Sequence, residues 1–402
     1  MRYSENDLKS DRISVLEHVL LTSEHENEKL EVIKQLARKK DDRAQLAILR
    51  ALKDKSLRVR EKAVNTLDPS RIPDETLIPY LVYLIDDEFS KVREKAMQLL
   101  KEMAKKELLP YFLTKINDES DLVRSIAIQA IGDIDYKEQL ESFISLFHSE
   151  TSTQIKHSLL QAISKLGDES ISDFLIEVLH NEREKTEVRS EAAMALAKSG
   201  SSKAFTSIIS ILNNEITESE VSTGLISFPS TKLKIGLIQS LAFINEERTV
   251  DFLIEYSRNE FQKESLSFPD INKLHLIGGL EQMVDSARII LVIIRVLGLF
   301  ENQKVISFLL NSLNSVYDVV RLQSIAALFR FNIDSVNERL LSILTDKNED
   351  SKFKTIMLAI MEQTNEEGLI NLRNKSGKSI PKRGWEMYRG RLTKTFGLPK
   401  YS

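Results

Sequence analysis

The side chains able to do chemistry are few in this sequence, and they are scattered. There is no cysteine, which removes disulfides, thiolate metal sites and cysteine nucleophiles together. The six histidines, His18, His25, His148, His157, His180 and His275, show no two-histidine helical spacing of the kind that holds a metal ion. Only at His25-Glu26 is a histidine directly followed by a carboxylate. Gly278-Gly279 is too little glycine for a phosphate-binding loop, and no paired constellation of nucleophile and base stands out. The sequence therefore predicts no catalytic residue, no metal site, no cofactor and no enzyme.

What remains is chemistry suited to recognition. One set is a column of amides, Asn65, Gln98, Gln129, Gln161 and Gln239, interrupted by Met194 and surrounded by Glu61, Lys62, Glu94, Lys95, His157 and Glu191. Amides both donate and accept hydrogen bonds, which suits them to an extended peptide backbone. They are also ordinary soluble helix formers. A second set lies in residues 371–402, where nine basic residues meet one acid, a net +8; the whole chain is −4, so residues 1–370 carry −12. This stretch includes Lys382, Arg383, Tyr388, Arg389 and Arg391 beside the only tryptophan, Trp385. Basic residues interleaved with aromatics attract phosphates and unstacked bases. A basic segment can equally fold back on an acidic body, and Trp385 can cap its last apolar layer.

These residues need elements to hold them, and the elements announce themselves by repetition. Val59-Arg60, Val92-Arg93, Val123-Arg124, Ile155-Lys156 and Val188-Arg189 place a basic marker at intervals of 33, 31, 32 and 33 residues, and Val320-Arg321 and Phe353-Lys354 resume it 33 apart. Three residues after the first five markers come Ala63, Ala96, Ala127, Leu159 and Ala192, and seven after come Leu67, Leu100, Ile131, Ile163 and Leu196. Positions −1, +3, +4 and +7 share one face of a helix at about 100° per residue. An aspartate stands six before the arginine at Asp54, Asp87 and Asp118, where it can cap the helix. Between the marker helices lie others, at Thr76–Ile85, Leu108–Ile116, Gln139–Phe147, Ile171–Leu179, Ala204–Leu212, Val305–Leu313 and Val336–Leu344. The spacing predicts an all-α chain, an α-solenoid of ten to twelve antiparallel helix pairs over residues 1–370, followed by the basic tail.

The turn aspartate, the Val-Arg pair and the small and apolar residues after it resemble the HEAT repeats, over about residues 25–365, and among them the HEAT-like repeats of the phycobilin-lyase type. That resemblance implies a structural ladder between adjacent repeats for Asp54, Arg60, Asp87, Arg93, Asp118 and Arg124. It also implies that the second helix of each pair lines a concave surface, so that the amide column, five residues after each marker and about 140° from it, runs along a groove. Related armadillo repeats use an asparagine column in that way. Enzymes of similar build leave other marks. Deoxyhypusine hydroxylases hold iron with repeated His-Glu pairs, and the DNA glycosylases of this type need Trp and Asp in the concave face; this sequence has neither.

Two consecutive units break the period, with insertions at 213–231 and 259–285 between the two helices of a pair. Each contains Ser-Phe-Pro, at Phe228-Pro229 and Phe268-Pro269. Stacking brings equivalent turns to one edge, so the two loops are expected side by side, forming an apolar platform or covering a kink. The apolar run Ile289–Phe300 is too short for a membrane span, which needs roughly twenty residues, and contains Arg295; it reads as a buried helix. The expected function is a cytoplasmic protein-interaction scaffold, with a protein or peptide partner, nucleic acid through the tail as the alternative, a tetrapyrrole chaperone as a third, and no membrane.

Overall fold

The computed structural model describes residues 5–213, 230–262 and 285–376, and all the regular structure among them is helical: twenty-one α-helices, with five single 3-10 turns in the short connections of the first unit and at the start of the second. The insertion residues Phe228, Pro229, Phe268 and Pro269, and the tail residues Lys382, Arg383, Trp385, Tyr388, Arg389 and Arg391, lie outside the described residues. The chain divides into two compact units, Met1–Asp168 and Glu169–Ser402.

The first unit holds α1 (Glu5–Thr22), α2 (Glu26–Ala37), α3 (Asp42–Arg50), α4 (Leu57–Thr66), α5 (Asp74–Leu84), α6 (Ser90–Glu102), α7 (Leu109–Thr114), α8 (Asp121–Ile134), α9 (Leu140–Ser149) and α10 (Thr153–Leu166). These form five sequential pairs. Each second helix packs on its own first helix and on the next second helix, so α2, α4, α6, α8 and α10 make one continuous layer. The marker register explains why. Val59, Ala63 and Val64, then Val92, Ala96, Met97 and Leu100, then Val123, Ala127, Ile128 and Ile131 are all fully buried, and they form the stripe predicted from the −1, +3, +4 and +7 positions. Removing one of the larger of these side chains would cost about 2–5 kcal/mol.

The second unit repeats the plan with α11 (Ser172–His180), α12 (Thr186–Lys198), α13 (Ala204–Leu212), α14 (Thr231–Leu241), α15 (Glu247–Gln262), α16 (Asp285–Leu297), α17 (Gln303–Ser312), α18 (Asp318–Leu328), α19 (Asp334–Thr345), α20 (Ser351–Thr364) and α21 (Glu366–Ser376). Its second-helix layer is α12, α14, α16, α18 and α20. The two insertions fall between α13 and α14 and between α15 and α16, the two helices of a pair in each case. Helix α16 is the apolar run of the sequence. Ile289 to Ile294 are buried without interruption, because α14, α15 and α18 cover it from three sides. Among the described residues no helix is long and apolar enough to cross a membrane.

Two lengths differ from the sequence reading. Helix α7 is shorter than Leu108–Ile116, with a 3-10 turn over Lys106–Leu108 and Pro110 in the first turn of the α-helix, where its missing amide is harmless. Helix α15 reaches into the stretch read as the second insertion, running past residue 259 to Gln262, because Tyr256, Ser257 and Glu260 continue its buried face.

Candidate functional site: a groove on the second-helix layer of the first unit

The groove begins with the devices that fix its walls. Arg60 donates from Nε to Asp87 Oδ2 (2.6 Å) and from Nη2 to Asp87 Oδ1 (2.9 Å), while its Nη1 reaches back to the Asp54 carbonyl at 3.0 Å. Arg93 does the same one repeat on, to Asp118 at 3.0 and 2.9 Å and to the Asp87 carbonyl at 2.8 Å. Each aspartate also accepts from an amide of its own turn: Asp54 from Ser56, Asp87 from Phe89, Asp118 from Ser120. Every aspartate is thus held at once by the previous repeat and by the start of its own helix. Burial raises the Asp87 and Asp118 carboxyls, but hydrogen bonds from arginine and amide outweigh it and hold both below the ordinary aspartate value. Hydrogen bonds to those carboxylates raise the Arg60 and Arg93 guanidiniums.

The ladder is longer than the aspartates alone indicated. Lys29 occupies the marker place in α2 and donates to Asp54 at 2.5 Å, with both side chains buried. Glu150 replaces the aspartate opposite Arg124, at 3.9 Å, and accepts from the Ser152 amide at 2.8 Å. In the second unit Arg321 pairs with Glu349. Arg189 instead donates to the Leu179 carbonyl at 2.9 Å, and burial lowers both its pKa and that of His180.

On the face of the second-helix layer turned away from the first helices lies a groove of about 540 Å3. It is walled entirely by α4, α6, α8 and α10, and Asn65, Gln98 and Gln129 are brought together in it. Gln161 follows on α10 but is not among the groove-lining residues, and Gln239 lies on α14 of the second unit, where it is exposed. Three of these amides, Gln98, Gln129 and Gln161, are engaged by other side chains. Gln129 Nε2 donates to Ser125 Oγ and Ser158 Oγ, both at 3.3 Å, and its Oε1 accepts from Lys101 at 2.6 Å. Gln98 donates to Glu102 at 2.8 Å, and Gln161 shares a 2.9 Å contact with His157. Under Gln129 the buried hydroxyls of Ser125 and Ser158 meet at 2.6 Å and tie α8 to α10.

The amide column alone did not reveal the rest of the lining. Leu122 is 44% exposed and stands over buried Ile126, giving the groove an apolar floor. Lys91, Lys95 and Gln154 complete the lining from α6 and α10. Lys95 was already named beside the amide column, and Lys91 and Gln154 sit at −2 from a marker, so the repeat register carried the signal that would have found those two. Among the described residues, no three His, Asp or Glu side chains cluster as metal ligands.

Stacked helix pairs, a marker arginine in a buried ladder and a layer of second helices with a polar groove define a helical-repeat protein. The family model for HEAT repeats matches residues 13–88, 78–164 and 140–221, just over half of the chain, and the chain belongs to the HEAT-repeat family. No curated protein matches it. Among solved structures, Kap121p bound to Nup53p is 14% identical, covering 92% of this chain and 47% of that one, with a TM-score of 0.43. Importin beta in an ammonium sulfate condition is 11% identical over 93% of this chain and 60% of that one, TM-score 0.44. Human deoxyhypusine hydroxylase in complex with glycerol is 15% identical over 80% of this chain and 96% of that one, TM-score 0.27. The chain thus spans about half the length of Kap121p.

Proposed function

We propose that this chain is a non-enzymatic scaffold that holds a peptide or protein partner in the groove of its first unit. The observation that carries the reading is the convergence of Asn65, Gln98 and Gln129 with Leu122 and Ile126 in one cavity of about 540 Å3. Ligand sites combine apolar area with a few placed polar groups, and this groove has that composition. Two of its amides, Gln98 and Gln129, are held by hydrogen bonds on rigid helices, which reduces the ordering cost on binding.

The test uses a partner obtained by co-purification from the native host and then purified for calorimetric titration. Gln98→Ala with Gln129→Ala removes a few net hydrogen bonds and should weaken binding by about 1–3 kcal/mol, or roughly 5- to 150-fold. Unchanged affinity would place the partner elsewhere. A different partner class is favoured by the tail sequence, whose Lys382, Arg383, Arg389 and Arg391 flank Trp385 and Tyr388. For nucleic acid, affinity should fall steeply across a salt series, with a slope set by the number of phosphates neutralised, whereas a groove-bound peptide with only a few charge contacts should show a shallow one.

A further inference from the structure

The groove is graded along its length, and the grading points to a ligand. From α4 to α8 the charged and apolar lining runs from an acid, Glu61, to the two cations Lys91 and Lys95 with the lining acid Glu94 between them, and then to an apolar surface, Leu122 with Ile126. Neither Glu61 nor Lys95 makes an ion pair or hydrogen bond among the described residues. Glu94, the acid nearest the two lysines in sequence, accepts from Ser120 Oγ at 3.0 Å. Leu122 is 44% exposed although it stands beside a buried isoleucine. A negative, a positive and an apolar station therefore stand on three consecutive second helices, α4, α6 and α8, with Glu61, Lys91 and Lys95 in no ion pair among the described residues.

Adjacent packed helices lie about 8–10 Å apart. A polyproline-II segment advances about 3.1 Å per residue with three residues per turn, so every third side chain faces the same way about 9 Å further on. A β-strand returns to one face every second residue, about 7 Å on, and falls out of step with the helices. We infer that the groove selects a peptide in polyproline-II conformation carrying a basic, an acidic and an apolar residue at successive third positions, seated on Glu61, on Lys91 and Lys95, and on Leu122. The inference rests on the groove being the partner site and adds the chemistry of the partner. Charge order, more than charge amount, sets the register.

The test pans a random decapeptide display library against the full chain and measures the enriched peptides by fluorescence anisotropy. Enriched sequences should show the base, acid and apolar residue with two residues between each, in one chain direction. Closing the spacing to one intervening residue should weaken binding at least tenfold. Leu122→Ser should do the same, and Lys95→Glu should transfer preference to peptides with a base in the acid's place. Peptides that lose binding to Gln98→Ala with Gln129→Ala, yet show no threefold spacing and ignore Leu122→Ser and Lys95→Glu, would overturn this inference and leave the groove as the site. Peptides whose binding ignores the amide changes as well would overturn both.

Discussion

At the residue scale the ladder makes the sharpest prediction. Arg93 and Asp118 are both buried and share two hydrogen bonds, so Arg93→Ala strands a carboxylate without its cation. Breaking a buried pair on one side costs about 3–5 kcal/mol, and urea unfolding followed by circular dichroism should show a loss of that order. Arg124→Ala should cost about 1 kcal/mol or less, since Glu150 stands 3.9 Å away and the guanidinium is more exposed. The pH dependence has a defined sign. The Asp87 and Asp118 carboxyls titrate below their ordinary value in the folded chain, so their stabilisation is complete above the unfolded aspartate range, near pH 4, and is lost as pH falls through the folded value. The melting-temperature gap between wild type and Asp118→Asn should be widest at neutral pH and close below about pH 4. Arg60, Arg93 and the three aspartates were legible in the sequence because type and spacing coincide. Lys29 was not, because Glu28 precedes it where the other early repeats place Val, nor was Glu150, because a glutamate reaches the same arginine from the same slot with one more methylene.

At the element scale, most helices from Leu57 to Thr364 and their order were readable from the marker register and the apolar period, while side-chain engagement across the layer was not. The position five after the marker points away from its own pair, which suggests exposure, yet Gln98 and Gln129 are half-buried. For Gln129 the cause is how closely α8 and α10 approach: a Cβ on Gly132 would lie 3.0 Å from the Cα and Cβ of Ala162. At that separation Gln129 reaches the Ser158 hydroxyl of the next helix. Gln129→Ala therefore costs stability as well as binding, about 1 kcal/mol by chemical denaturation, where Gln98→Ala, bonded only within α6, should cost less. Closer still is the end of α16, where a Cβ on Gly298 would come within 2.6 Å of the Ala327 Cβ. Gly298→Ala should force α16 and α18 apart and cost about 1–3 kcal/mol by the same assay. A glycine that spaces two helices looks, in sequence, like any glycine after a helix.

At the scale of the whole molecule, repeat arrays owe their stability to each repeat and its nearest neighbours. Hydrogen exchange should show Arg93→Ala weakening α4, α6 and α8 while α18 and α20 keep their protection. The same locality confines the proposed site to a few consecutive second helices. The chain contains no cysteine, so an introduced one is a unique attachment point for a photo-crosslinker. Two positions decide the matter: Lys95→Cys in the groove, and Tyr83→Cys on α5, whose tyrosine is 56% exposed in the first-helix layer. With the co-purified partner added, illumination should give a covalent adduct from the groove position and none from α5. An adduct from Tyr83→Cys alone, or from neither position while the partner is bound, would contradict the account.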